Sequence, residues 1–207
     1  MRGVPGLCHL AHQVCVAALG RIRAGWEPLG ESEVRVWWFT SCVVWLGCGA
    51  PAETEEIVAC DACGGACDAV TRSFSERQHV TDPIDYEDPP PFGGDHNPCW
   101  APWGVHTTPV ADDNWVHNLE HGGVVFLYDC LDGCEADATA LGELASSLGP
   151  YSLVTPYSGM SRRFAVVAWG HRLEMDCLDT SALRQFYIDH QDDAPESTIA
   201  DPSESCM

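Results

Sequence analysis

Residues 123–128 read Gly-Val-Val-Phe-Leu-Tyr, an unbroken apolar run of strand length with β-branched side chains. Such a run predicts a central strand buried on both faces. Residues 164–169, Phe-Ala-Val-Val-Ala-Trp, predict a second strand, which 171–175 extend across a turn, and residues 151–155 predict a shorter one. Between residues 136 and 148, Leu141, Leu144 and Leu148 recur at helical spacing, and the run stops at Gly149-Pro150. Asp179 or Thr180 caps a last helix to about Gln191, with Leu183, Phe186 and Tyr187 as its apolar face. The pattern predicts the α+β class: a single small domain with helices packed on one mixed β-sheet. A long Pro/Gly-rich loop region precedes these elements. Pro89, Pro90 and Pro91 exclude a helix there, and Trp100 and Trp103 are expected to pin the segment.

The amino-terminal part follows a different pattern. Residues 34–47 are apolar except for Arg35, too short to span a membrane comfortably and of the right length for a secretory signal. The run ends at Gly47-Cys48, which resembles a bacterial lipobox with Trp45 in place of the usual leucine. Cys48 is therefore the expected lipidation site and mature amino terminus. On this reading residues 1–33 are an over-predicted start or a disordered extension, with Val34 as initiator. Residues 48–59 form a small, acidic, flexible tether, and 60–207 form the folded domain. The alternative is a structured helix near Leu10–Ile22 followed by a buried strand at 34–47.

Charge narrows the partners. The chain of 207 residues has ten arginines, no lysine and 31 acidic residues. From Cys48 onward, six arginines face 28 acids. A surface this acidic repels phosphate backbones, so no nucleic-acid partner is expected. Twelve cysteines are many for a reducing compartment. Eight follow the tether, namely Cys60, Cys63, Cys67, Cys99, Cys130, Cys134, Cys177 and Cys206, and all are disulfide candidates. Their connectivity is open; the two favoured pairs are Cys130–Cys134 and Cys177–Cys206. The spacing Cys60-x-x-Cys63 is also that of thiol oxidoreductases, and Cys63-x-x-x-Cys67 and Cys130-x-x-x-Cys134 are spaced like copper-delivery thiols.

The segment Trp115-Val-His117-Asn-Leu-Glu120-His121-Gly122-Gly123 carries most of the chemistry. Histidines four apart face one way on a helical turn, a metal-site spacing. His96, in Gly93-Gly94-Asp95-His96, offers a third imidazole. The expected site is His96, His117 and His121 around copper or zinc, with Glu120 orienting the ligands from behind, and otherwise no cofactor. His79, His106, His171 and His190 have weaker claims, and Met160 is a candidate soft fourth ligand. The order His-x-x-Glu-His also matches a metalloprotease signature in which Glu120 is the base.

Three runs, Pro89-Pro-Pro-Phe-Gly-Gly-Asp-His96, Trp100-Ala-Pro-Trp-Gly-Val105 and Val116-His-Asn-Leu-Glu-His-Gly-Gly-Val-Val-Phe-Leu-Tyr128, together resemble the bacterial domain of unknown function 3105 family. The strand ending in Ala168-Trp169-Gly170 fits the same pattern, and the resemblance covers residues of about 80 to 190. Phe92-Gly93-Gly94-Asp95 departs from the family's usual Thr-Ser-Gly-Pro. The resemblance implies an exported or membrane-anchored protein and brings no established reaction with it. The leading expectation is thus an exported lipoprotein of the bacterial cell envelope, held by its lipid anchor, that binds a transition metal; its protein partner is unspecified. The alternatives are an enzyme, either a Glu120 hydrolase or a thiol oxidoreductase, and a disulfide-stapled interaction module without metal.

Overall fold

The computed structural model describes residues 53–130 and 133–196. The extension 1–33, the signal 34–47, Cys48 and Cys206 lie outside the described residues. Among the described residues no helix is long and apolar enough to cross a membrane.

Among the described residues seven strands form one mixed sheet, in the order β1-β2-β7-β6-β4-β5-β3. They are β1 (Glu53–Cys60), β2 (Gly65–Arg72), β3 (Gly104–Val105), β4 (Val124–Tyr128), β5 (Ser152–Pro156), β6 (Phe164–Ala168) and β7 (His171–Met175). The helices are α1 (Asp112–Glu120), α2 (Glu135–Leu148) and α3 (Thr180–His190). β4 lies inside the sheet, antiparallel to β6 and parallel to β5. That position accounts for its continuous apolar sequence, since neither face of the strand meets water.

Side-chain alternation along β4 builds two cores. Val124 and Phe126 face α2 and α3 with Phe164, Val166, Leu173, Met175, Leu183 and Phe186. Val125 and Leu127 face the other way, with Trp115 and Leu119 of α1 and Phe92 of the long loop. Helices therefore cover both faces of the sheet. Asp179 caps α3, accepting hydrogen bonds of 3.0 Å from the Ser181 and Ala182 amides and a third from Ala62. Burial opposes its ionisation, but the three amide donors outweigh burial and hold its carboxyl below the usual range.

Four expectations need correction. The segment read as a flexible tether is an edge strand from Glu53 onward, in register with β2 from Glu53↔Arg72 to Cys60↔Gly65. Its acidic residues hid it, because an exposed edge strand tolerates charge and need not alternate. Cys177 pairs with Cys63 across 114 residues rather than with Cys206. Two further bridges are Cys60–Cys67 and the favoured Cys130–Cys134, and Cys99 is disulfide-bonded as well. Cys60 and Cys63 thus belong to different bridges, which removes the thiol-oxidoreductase reading of that pair. The two x-x-x spacings likewise hold no free thiolate for copper.

Candidate metal centre

The site forms where α1 meets the loop 73–103. Asp112 and Asp113 lie in the first turn of α1, where negative charge complements the helix dipole. From Trp115 to Glu120 every residue is buried. The residues of the 117–123 motif divide several tasks among them. His117 and Glu120, three apart, face the loop. Asn118 clamps it: its Oδ1 accepts from the Ala101 amide at 2.8 Å and its Nδ2 donates to the Ala101 carbonyl at 2.9 Å. Leu119 enters the core. Gly122 turns the chain at a φ of 82°. Gly123 leaves no room for a side chain, since a Cβ there would lie 2.2 Å from the Trp103 ring.

The loop brings two more histidines together. An isolated parallel bridge pairs His79 with His96: the Val80 amide donates to the His96 carbonyl at 2.8 Å, and the His96 amide donates to the Gln78 carbonyl at 3.0 Å. Asp95 secures this crossing, accepting from the Gln78 amide through its side chain and from the Tyr86 hydroxyl through its carbonyl. Donor atoms of His79, His96, His117 and Glu120 all lie within 4.8 Å of one another.

Hydrogen bonding fixes which nitrogens are available. His96 is fully buried and its Nδ1 is 2.8 Å from the Gly94 carbonyl, which can only accept, so Nδ1 carries the proton. His117, also fully buried, donates its Nδ1–H to the Asn97 carbonyl at 2.9 Å in the same way. In the neutral rings both Nε2 atoms therefore carry lone pairs, that of His96 meeting Glu120 and that of His117 lying 3.1 Å from Nε2 of His121. The Nε2 of His96 lies 2.9 Å from Oε2 of Glu120, an ion-pair contact when the ring is protonated and a chelating pair when it is neutral. An ion about 2.05 Å from both atoms would sit off the line joining them, with the nitrogen lone pair turned roughly 45° from the oxygen.

Protonation states agree with ligation. Burial, reinforced by the neighbouring rings of His96, His121 and His79, lowers His117 to about 4 despite the Asn97 carbonyl. Burial would raise Glu120, but hydrogen bonds and charge from His96 and Arg77 prevail and lower it to about 2. Near neutral pH the site therefore holds an uncharged His117 and an ionised carboxylate. Arg77 bridges Glu120 and Glu196 at 3.0 Å each from the solvent side.

The structure brings His96 and His117 together as expected and adds His79, which sequence reasoning had ranked low. Glu120 points a carboxylate oxygen among the nitrogens instead of standing behind them. His121 lies beside His117, with the Nε2 atoms 3.1 Å apart, and belongs to a neighbouring cluster with Glu120 and Glu196. Trp100 packs edge-on against both rings. His106 is bound to the Pro102 carbonyl, and Met160 packs against the apolar cluster around Trp115. His79 carried no local motif; its only signal was a lone histidine in a polar stretch ahead of the Pro/Gly-rich loop.

No curated protein and no solved structure matches the chain significantly. Residues 79–203 match the model of the family described as "Protein of unknown function (DUF3105)", a span that begins at His79 and contains all four donors. The chain belongs to the DUF3105 family.

Proposed function

We propose that this protein is an envelope-anchored binding domain that holds one transition-metal ion, copper or zinc, through His79, His96, His117 and Glu120. The observation that carries the reading is the pair of buried imidazoles whose Nδ1 protons are committed to backbone carbonyls. Carbonyl partners of this kind orient metal-bound histidines, and here they leave each Nε2 with its lone pair in the neutral ring, that of His96 lying 2.9 Å from the ionised Glu120 carboxylate. Three nitrogens and one oxygen suit zinc or divalent copper; the disulfide-bonded cysteines offer no soft ligand for monovalent copper. Glu120, held near 2, is a weak proton acceptor, which argues against its use as a general base. Export and lipidation at Cys48 fit a domain with seven disulfide-bonded cysteines, because such bonds persist in oxidising compartments.

The test is metal content of the full chain purified from its natural compartment, alongside His96→Ala and His117→Ala. The expected result is one copper or zinc ion at this site in the parent, lost in either variant. Background metal in the parent, or full retention in both variants, refutes the proposal.

A further inference from the structure

On the opposite face of the sheet lies a second cluster that plays no part in the first. His171 opens β7 and shares the face of Leu173 and Met175, which pack under α3. His190 closes α3, and Asp193 returns over it after a turn with Asp192 at a φ of 68°. The two imidazoles stack with centroids 4.0 Å apart and planes 17° from parallel. The Nε2 of His171 is 3.8 Å from Oδ2 of Asp193, and one donor atom from each of the three residues falls within a 4.8 Å group. Two bonds of about 2.0–2.2 Å together exceed that 3.8 Å gap, so an ion fits between nitrogen and oxygen without rearrangement.

Several features point to a ligand there. Nδ1 of His190 is buried with no hydrogen-bond partner. Nδ1 of His171 is engaged by the Thr71 hydroxyl at 3.2 Å, which leaves Nε2 directed at the carboxylate. Stacked rings cannot satisfy each other's nitrogens. The cluster opens on a cavity of about 460 Å³ whose lining includes Thr71, Phe186 and Asp189. That opening leaves coordination positions to water or an exchangeable ligand.

We propose that His171, His190 and Asp193 form a second, solvent-open site for a borderline divalent metal ion of the zinc type. The site stands independently of the centre on α1. It is tested by equilibrium dialysis of the full chain against Zn²⁺ alone, comparing the parent with His190→Gln/Asp193→Asn and with His171→Gln. These milder changes keep a polar side chain at each position, and circular dichroism checks that the fold is retained. The expected result is that each variant binds one Zn²⁺ fewer than the parent at micromolar free metal. If the α1 centre fails to bind, the parent holds one ion and the variants none. Variants that bind as many ions as the parent overturn the second site, whatever the α1 centre does.

Discussion

Acidification of the metal-free chain gives the sharpest test of how the α1 site is built. His117 is fully buried and titrates near 4, whereas in the unfolded chain its ring takes up a proton near 6.5. Between those values the unfolded state binds more protons than the folded one, so stability rises with pH and is lost on going down. A gap of this size corresponds to about 3 kcal/mol at 1.36 kcal/mol per unit, with no discount for solvent because the ring is inaccessible. Such a loss is a large share of the roughly 5–15 kcal/mol that holds a domain together. Glu120 acts lower: its contribution is complete above its unfolded value of 4.5 and disappears as pH falls through about 2. Burial of His171 and His190 adds to the loss in the upper window, so the decisive quantity is a difference between two proteins. Urea unfolding followed by tryptophan fluorescence, from about pH 7 to about pH 4, measures it. The parent should lose stability through this window, and His117→Gln, which cannot take up the proton, should lose about 3 kcal/mol less. A flat parent profile, or equal losses in both proteins, would refute the assignment of His117 as a buried neutral imidazole.

Asn118→Ala removes both bonds of the clamp and leaves the Ala101 amide and carbonyl without partners; we expect a cost of about 2–4 kcal/mol in the same unfolding assay, and less than about 1 kcal/mol would show that water replaces the side chain. Replacing both Cys63 and Cys177 by serine opens a loop of 114 residues and should lower stability by about 5 kcal/mol, read as a shift in the urea midpoint. Cys48→Ser should release the domain from the membrane fraction or block its processing; unchanged fractionation would count against lipidation.

Legibility in the sequence followed the range of the interactions involved. β4, β6, α2 and α3 are written in local periodicity, and the Asp179 cap could be read directly from α3. The β1–β2 hairpin was not legible, because its strands are defined by pairing with each other and with β7, and their sequence is acidic and rich in small residues. In the site, His117 and Glu120 share one helix and were visible as a motif. His79 and His96 meet through a backbone bridge across 17 residues of irregular chain, and no spacing rule encodes such a crossing. Glu120 was assigned a role behind the ligands because spacing shows that a carboxylate is near, not which way its oxygens point.

The hairpin and its bridges also determine how the domain responds to tension. If the protein is held at Cys48, as proposed, any pull from the membrane enters through the outer edge strand β1. Force applied at Glu53, opposite Arg72, opens the β1–β2 ladder one rung at a time, the mechanically weak direction for an antiparallel pair. Peeling proceeds along eight residues, about 26 Å of chain at 3.3 Å per residue, and stops at the covalent link between Cys60 and Cys67. Beyond that point the Cys63–Cys177 bond passes the load straight to the segment before α3. The sheet centre and the histidines on α1 stay out of the force path, so a tug that unzips the edge strand leaves the geometry of the candidate centre intact.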